Sequence, residues 1–317
     1  MNMQMPNRDH NLTIGIDIGG TKIEGIVIDE NNNVLKELRI PSRIGEKQVV
    51  DDITRVAKEL SETPIPVGIG IPGQVNWNTG CVKNVVNLGI TTLELGSEVC
   101  AKYGASVHVE NDVNAAALGA ASLVYENNSF ENINTNNCDS TVVMLNFGTG
   151  LAAGVVKSGR ALHGFSGAYG EIGHIPVDAN MFDCPCGQKG CLETVASGGA
   201  ISRLWPYANP AMPDLISKAE DGNPQAKQVL DMVVHAMVDA VQIVVHAYDP
   251  QIIAIGGGVA RTGEKLLKII CEELNNRAST CPFLQSLNVT KRLVLVPSNQ
   301  PVGALGAAIS ARINNLA

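Results

Sequence analysis

One pattern occurs twice in the chain and constrains its fold more than any other feature. Residues 12–29 contain two β-rich runs joined by a Gly-Gly turn, with Asp17 just before the turn. Residues 141–159 repeat this arrangement, with a strand, a Gly-Thr-Gly turn and a second strand of small residues. Glycine turns between apolar runs are typical of β-hairpins. The repetition predicts two related halves, each of which opens with a hairpin.

Strands alternate with helical patterns along the rest of the chain, which predicts an α/β fold. The segment between residues 126 and 140 contains six asparagines and no apolar periodicity, so we expect a surface connection and a domain boundary there. The predicted helices cover 47–60, 112–125, 225–247, a stretch from 264, and 301–313, and the predicted strands lie within 65–73, 106–111, 251–259 and 292–298.

The composition excludes several classes of protein. A chain of 317 residues with 45% hydrophobic residues can bury a sizeable core, and its formal net charge of −8 argues against a nucleic-acid partner. The N-terminus lacks the basic and apolar regions of a secretory signal. The most apolar stretch, 229–248, carries four charged or histidine side chains, so we expect no membrane span. These features favour a soluble, cytoplasmic protein.

The first glycine turn has the composition of a phosphate-binding loop. Gly19 and Gly20 allow backbone N–H groups to approach phosphate oxygens, Thr21 adds a hydroxyl donor and Lys22 adds a positive charge. Asp17 is suited to hold Mg²⁺, through water, because Mg²⁺ keeps several waters and takes few carboxylates. An ordinary hairpin turn with a capping aspartate is the alternative interpretation of the same residues.

Two further glycine loops strengthen the interpretation as a nucleotide site. Gly148, Thr149 and Gly150 occupy the corresponding place in the second half, so the two turns are expected to bind one polyphosphate from both sides. A third loop, Gly256, Gly257 and Gly258, lies between a predicted strand and a helix and is expected to admit the nucleoside.

A Glu110-Asn111-Asp112 triplet lies at the carboxyl end of a predicted strand, where ligands of α/β proteins tend to bind. An aspartate there can accept a proton from an attacking hydroxyl, and the neighbouring asparagine can bind another hydroxyl through its amide. A helix N-cap is the alternative role for this triplet.

The most specific motif is a cluster of cysteines with one histidine. Cys184, Cys186 and Cys191 follow His174 within eighteen residues, which is the donor set of a tetrahedral Cys₃His zinc site. Four protein ligands leave no open position, so the zinc would be structural, and reduced free cysteines are the alternative. The loop 174–191 would then present Glu171 and Glu193, at either end of it, together with His174.

Seven motifs occur along the chain in a fixed order: DIGGTK at 17–22, GIGIPGQV at 68–75, ENDVNAAALG at 110–119, GTG at 148–150, GEIGH at 170–174, CPCGQKGCLE at 184–193 and IGGGV at 255–259. Together they resemble the ROK family of sugar kinases in the actin/hexokinase superfamily, and the resemblance covers nearly the whole chain. It implies two actin/ribonuclease H-like α/β domains around a cleft, one formed by residues 1–119 with the C-terminal helix 301–317 and one by residues 120–300.

The resemblance also implies roles for individual residues. Asp112 is expected to be the general base for the sugar hydroxyl. Zinc would be bound by His174, Cys184, Cys186 and Cys191, and His174 would turn its second ring nitrogen toward the sugar. The residues expected to contact the sugar are Gly73, Asn111, Asp112, Glu171, His174 and Glu193.

The reaction implied is transfer of the γ-phosphate of MgATP to a hexose hydroxyl, with O6 as the favoured acceptor. The resemblance also implies a cytoplasmic homodimer. Glucose is the favoured substrate, and an N-acetylhexosamine (ManNAc or GlcNAc) or fructose is the alternative. ATP or polyphosphate as donor stays open. The family also contains sugar-responsive repressors with a DNA-binding domain before the sugar-binding core. Eleven residues before the first strand are too few for such a domain, so a regulator without one is the non-enzyme alternative.

Overall fold

The computed structural model of the chain describes residues 12–126 and 140–315, so most of the Asn-rich segment lies outside the described residues. The chain forms two compact units. Of the described residues, the first unit holds 12–126, 159–167 and 300–315, and the second holds 140–158 and 168–299.

The helices and strands follow one another in an order that matches the predicted alternation. They are β1 (Thr13–Ile18), β2 (Lys22–Ile28), β3 (Val34–Pro41), α1 (Glu46–Leu60), β4 (Val67–Ile71), β5 (Gln74–Asn76), β6 (Cys81–Val85), β7 (Ile90–Leu93), α2 (Leu95–Tyr103), β8 (Val107–Asn111), α3 (Asp112–Glu126), β9 (Thr141–Phe147), β10 (Leu151–Lys157), β11 (Arg160–Ala161), α4 (Gly198–Leu204), α5 (Ala211–Glu220), α6 (Pro224–Tyr248), β12 (Ile252–Gly256), α7 (Glu264–Ala278), α8 (Pro282–Leu287), β13 (Leu293–Leu295) and α9 (Val302–Asn315).

The first unit is built on a mixed sheet with the strand order β3-β2-β1-β4-β8. β1 and β2 form the predicted antiparallel hairpin, and β4 and β8 run parallel to β1. A separate antiparallel sheet of β5, β6 and β7 follows β4. Because β1, β4 and β8 are parallel, their carboxyl ends meet at one edge of the sheet, and this edge carries Asp17 and the Asn111-Asp112 turn.

Helices cover both faces of this sheet. On one face Val49, Val50 and Ile53 of α1 pack into a core of isoleucine and valine side chains from the strands. On the other face α9 lies so close that a Cβ on Gly15 of β1 or on Gly68 of β4 would come within 1.8 Å of a carbonyl oxygen of α9. Glycine in the two central strands is therefore what allows the C-terminal helix to pack against the sheet.

The second unit repeats the same plan. β9 and β10 form the second predicted hairpin, and β12 pairs in parallel with β9 as β4 does with β1. The strands β10-β9-β12-β13 lie side by side in that order. The repeated hairpin in the sequence thus corresponds to two mixed sheets of related topology, as predicted.

The units divide the chain at places that differ from the predicted boundaries. The predicted division after residue 119 falls inside α3, whereas α3 as a whole belongs to the first unit because it packs along α9. Residues 159–167 also belong to the first unit, although the residues on both sides of them belong to the second. Helix α9 belongs to the first unit, where the sequence placed the C-terminal helix.

Helix α6 is the one helix among the described residues that is long and apolar enough to cross a membrane. Its most apolar window has a mean hydropathy of 1.6, and 56% of that window is buried inside the unit. Valines and alanines such as Val233, Val241 and Ala240 are fully buried, which is the arrangement of a core helix.

Candidate active site

The first glycine turn is short and held by hydrogen bonds at both ends. The N–H of Gly19 donates to the carbonyl of Lys22 at 2.8 Å, and the hydroxyl of Ser42 donates to the carbonyl of Gly19 at 2.7 Å. Gly20, Thr21 and Lys22 are exposed. The turn therefore offers backbone and hydroxyl donors to an incoming anion. Lys22 already lies 3.6 Å from Glu24, so its charge is partly balanced within the unit.

Asp17 lies at the carboxyl end of β1 in an unfavourable place for a negative charge. Burial, followed by the carboxylates of Asp112 and Glu24, raises its pKa from 3.8 to about 7, although the nearby Lys22 acts in the opposite direction. Asp17 pairs in register with Gly70 of β4. A Cβ on Gly70 would lie 3.6 Å from Asp17 Oδ1 and 3.8 Å from the Cα of Asp112. Asp17 and Asp112 therefore lie on either side of Gly70.

The Asn111-Asp112 turn joins β8 to α3. Asn111 Oδ1 accepts hydrogen bonds from the N–H of Val113 at 2.9 Å and of Asn114 at 3.3 Å, so Asn111 caps the helix and Asp112 is its first residue. The amide nitrogen of Asn111 donates to the carbonyl of Gly73 at 3.2 Å. The structure thus brings Gly73, Asn111 and Asp112 together, and it gives Asn111 the capping role that the sequence left as an alternative.

In the second unit, two of the predicted glycine loops lie next to each other. Gly257 has a φ of 86°, and a Cβ there would lie 2.5 Å from the carbonyl carbon of Phe147, the residue before the Gly148-Thr149-Gly150 turn. Only glycine fits this position. The N–H groups of Gly198 and Gly199 donate to the carbonyls of Gly148 at 2.7 Å and of Thr149 at 3.2 Å. These bonds fix the turn from the start of α4.

The four predicted zinc ligands converge on one point. The ligand atoms of His174, Cys184, Cys186 and Cys191 all lie within 4.8 Å of one another. The loop that carries them turns at Gly187 and Gly190, which have φ angles of 94° and 72°. Hydrogen bonds from the backbone N–H and then from the side-chain amide of Gln188 lower the pKa of the Cys186 thiol to about 6, which favours the thiolate. The set has the number and type of donors for tetrahedral zinc.

The two glutamates at the ends of this loop lie beside His174. His174 Nδ1 is 3.8 Å from Cys184 Sγ and 3.7 Å from Glu193 Oε1, and His174 Nε2 is 4.0 Å from Glu171 Oε2. The other oxygen of Glu193 would lie 2.9 Å from a Cβ on Gly150. Burial raises the pKa of Glu171, with Glu193 adding to the rise and His174 opposing it. Glu193 thus connects the cysteine cluster to the second glycine turn.

The predicted residues fall into two groups, one in each unit. Asp17, the 19–22 turn, Gly73, Asn111 and Asp112 belong to the first unit. The 148–150 and 256–258 loops, Glu171, His174, Glu193 and the cysteines belong to the second.

Sequence reasoning missed some of the residues that support the two groups. Ser42 and Gly198-Gly199 brace the glycine turns, and His163 bonds to Glu110 immediately before the Asn111-Asp112 turn. Of these, only the Gly198-Gly199 pair carries a local signal, a second pair of glycines just after the cysteine loop. His235 and His246 lie outside both groups. His235 is exposed near Glu273, and His246 stacks on Phe283.

A model of the ROK family matches residues 13–313 of the chain. The chain belongs to the ROK family. The glucokinase of Thermotoga maritima is 31% identical over 93% of this chain and 95% of its own length. The N-acetyl-D-glucosamine kinase of Aliivibrio fischeri is 30% identical over 93% of this chain and 97% of its own length. Among solved structures, the ROK glucokinase from Streptomyces griseus in complex with glucose and AMPPNP is 27% identical, with a TM-score of 0.71 over 95% of this chain and 99% of its own.

Proposed function

We propose that the protein is an ATP-dependent hexose kinase that transfers the γ-phosphoryl group of ATP to a sugar hydroxyl, O6 in first place. The observation that carries this proposal is the position of Asp17 and Asp112 on either side of Gly70, with the first glycine turn two residues beyond Asp17. Kinases that phosphorylate a hydroxyl group use one carboxylate to hold the cation and a second one to accept the hydroxyl proton. The glucokinase and N-acetylglucosamine kinase relatives support the same reaction class.

Asp112 acts as the general base. It takes the proton of the sugar hydroxyl while the oxygen forms its bond to the γ-phosphorus and the bond to the β-γ bridging oxygen breaks. Its backbone is fixed because it is the first residue of α3 and directly follows β8. An amide nitrogen carries two hydrogens, so Asn111, which uses one for Gly73, has a second for a neighbouring sugar hydroxyl.

Glu171, His174 and Glu193 bind the remaining hydroxyls of the hexose. Carboxylates accept hydrogen bonds from hydroxyl groups, and an imidazole nitrogen can donate or accept. The Nε2 side of His174, which faces Glu171, is the side available to the sugar, because Nδ1 faces Cys184. These groups recognise features that glucose, mannose and the N-acetylhexosamines share.

The nucleotide binds to the three glycine loops. The turns at 19–22 and 148–150 hold phosphate oxygens, and the 256–258 loop admits the nucleoside. Burial, and after it the carboxylates of Asp112 and Glu24, raise the pKa of Asp17. A cation would offset this unfavourable negative charge, and carboxylate oxygen is a ligand that Mg²⁺ accepts. Asp17 is the residue that would hold Mg²⁺. The ion, when bound, offsets the negative charge of the phosphate oxygens.

Zinc fits the Cys₃His cluster, because three sulfurs and one imidazole nitrogen converge within 4.8 Å and fill a tetrahedral shell. Its role is to hold the loop that presents Glu171, His174 and Glu193. Bound zinc supplies this rigidity and no open position for substrate.

Glucose is the preferred hexose in this proposal, and the N-acetylhexosamines and fructose are the alternatives. The protein works as a cytoplasmic homodimer. The test is a panel of glucose, mannose, fructose, N-acetylglucosamine and N-acetylmannosamine, each with MgATP or polyphosphate, in an assay of hexose phosphate formation. We expect the highest kcat/KM with glucose and ATP and the phosphate on O6. Sugar binding without phosphate transfer from either donor would instead support a sugar-responsive regulator.

A further inference from the structure

Glu110 is a buried carboxylate directly before the turn that carries Asp112. It is 1% exposed. A buried carboxylate is tolerated only when hydrogen bonds or an opposite charge satisfy it. Its Oε1 accepts hydrogen bonds from the N–H of Asn111 at 2.9 Å and from the side chain of Asn114 at 3.2 Å, and its Oε2 lies 2.7 Å from His163 Nε2. One oxygen therefore binds the turn, and the other binds His163.

His163 lies in irregular backbone, and its side chain is held by two neighbours of the first unit. A carboxylate only accepts hydrogen bonds, so Nε2 carries the proton that it shares with Glu110. The imidazole ring stacks on Trp77, with ring centroids 4.7 Å apart and planes inclined by 15°. The three side chains line a cavity of about 140 Å³ together with Arg160.

The hydrogen bonds of Glu110 hold the backbone before and after Asp112. Asn111 is held through its N–H, and Asn114 through its side-chain amide, so the residues on both sides of Asp112 are tied to one carboxylate. Loss of His163 leaves Oε2 without this donor in a place where the Glu110 side chain is only 2% exposed. Rotation of the carboxylate toward water would then release Asn111 and Asn114.

We propose that His163 is a positioning residue for the reaction, which acts through Glu110 to fix the direction of the Asp112 carboxylate, with Trp77 holding the imidazole in place. This inference rests on the proposed role of Asp112 as the base.

The test compares His163→Leu, which removes the donor, with His163→Gln, which keeps an N–H donor on a side chain of similar reach. We expect His163→Leu to lower kcat by about 10- to 100-fold, since a small misplacement of a reacting group has this effect. The KM for ATP should stay within about threefold, and His163→Gln should recover most of kcat. His246→Leu, at a stacked histidine in the second unit, is the matched control and should keep full kcat.

Hydrogen exchange gives a readout that does not depend on activity. The N–H groups of Asn111, Val113 and Asn114 are protected by the bonds described above, so their exchange should rise by about tenfold in His163→Leu and not in His163→Gln or His246→Leu. If the wild-type chain phosphorylates no hexose but exchange rises in this way, the proposed function fails and the positioning contact stands.

Three results would overturn the inference. They are wild-type kcat in folded His163→Leu, a fall in ATP affinity equal to the fall in kcat, and unchanged exchange at the turn. Should His163→Leu not fold, Glu110→Gln and Glu110→Ala replace it. Glu110→Gln keeps the Oε1 acceptor, so the kcat of this variant should stay within about tenfold of the wild type. The kcat of Glu110→Ala should fall further, and equal kcat values for these two variants would reject the role of Glu110.

Discussion

Replacing Asp17 with asparagine should stabilise the ligand-free protein at high pH while abolishing its activity. The carboxyl of Asp17 has a pKa of about 7 in the folded chain and an ordinary value of 3.8, a difference that corresponds to about 4 kcal/mol. About 4 kcal/mol is therefore the expected magnitude.

The raised pKa of Asp17 determines how the free energy of unfolding changes with pH. An acid whose pKa is raised by folding makes the folded state bind protons more strongly, so stability is lost as pH rises from about 4 to about 7. Asparagine cannot ionise. The free energy of unfolding of Asp17→Asn should equal that of the wild type near pH 4 and exceed it by about 4 kcal/mol at pH 8.

The assay needs a signal from the first unit alone, since one free energy does not describe a chain of two units. The chain has two tryptophans, Trp77 in the first unit and Trp205 in the second. With Trp205→Phe as the common background, urea unfolding followed by Trp77 fluorescence reports the first unit. Asp29→Asn is the matched control, because hydrogen bonds from Asn33 lower the pKa of Asp29 and its replacement should remove stability above pH 4.

Two results would refute this reasoning. One is a stability difference between Asp17→Asn and the wild type that does not change with pH, and the other is a loss of stability in Asp17→Asn at pH 8. Retention of wild-type kinase activity in Asp17→Asn would separately reject the assignment of Mg²⁺ to this carboxylate.

Three further predictions concern the loops and the cysteine cluster. Gly257→Ala should raise the KM for ATP at least about tenfold, because its Cβ would contact the end of β9. Gly222→Ala is the control, since Gly222 has a similar φ and no atom within 4 Å of its Cβ, and it should leave the kinetics unchanged. Equal kinetics in the two variants would show that the 256–258 loop tolerates the added Cβ. Purified protein should contain about one zinc per chain by metal analysis, and Cys186→Ser should lose zinc and bind hexose more weakly; a zinc-free, fully active preparation would contradict this. Ser42→Ala removes the hydroxyl donor to the Gly19 carbonyl. Initial rates should show a KM for ATP that is about threefold to tenfold higher and an unchanged KM for the hexose. An unchanged KM for ATP would show that the first glycine turn keeps its shape without this hydrogen bond.

The sequence predicted the elements that have strong local patterns. The two hairpins combine apolar runs with glycine turns, and the cysteine cluster has the spacing of a metal site, so both could be located without a structure. The sequence did not predict β3, because it is an edge strand with a mostly exposed, charged sequence that includes Lys36, Glu37 and Arg39. It did not predict the β5-β6-β7 sheet, because those strands are short and carry little apolar periodicity.

The candidate site was predictable where chemistry follows from neighbours in sequence and not where it depends on tertiary contacts. Asp112 and the cysteines belong to compact motifs. Glu110 and His163 are 53 residues apart, and Trp77 stacks on His163 only after folding. The raised pKa of Asp17 likewise depends on its burial and then on Asp112 and Glu24, all of which follow from the topology of the sheet.

The role of Asp112 as the general base is tested most directly by Asp112→Asn in a glucose phosphorylation assay with saturating MgATP, together with calorimetry of glucose binding. Loss of a general base lowers kcat by about 10² to 10⁴-fold, while asparagine keeps the size of the side chain and its capacity to bind a hydroxyl. We predict a fall in kcat within that range with glucose affinity kept within about fivefold. Near-normal turnover in Asp112→Asn would contradict the assignment of Asp112 as the base.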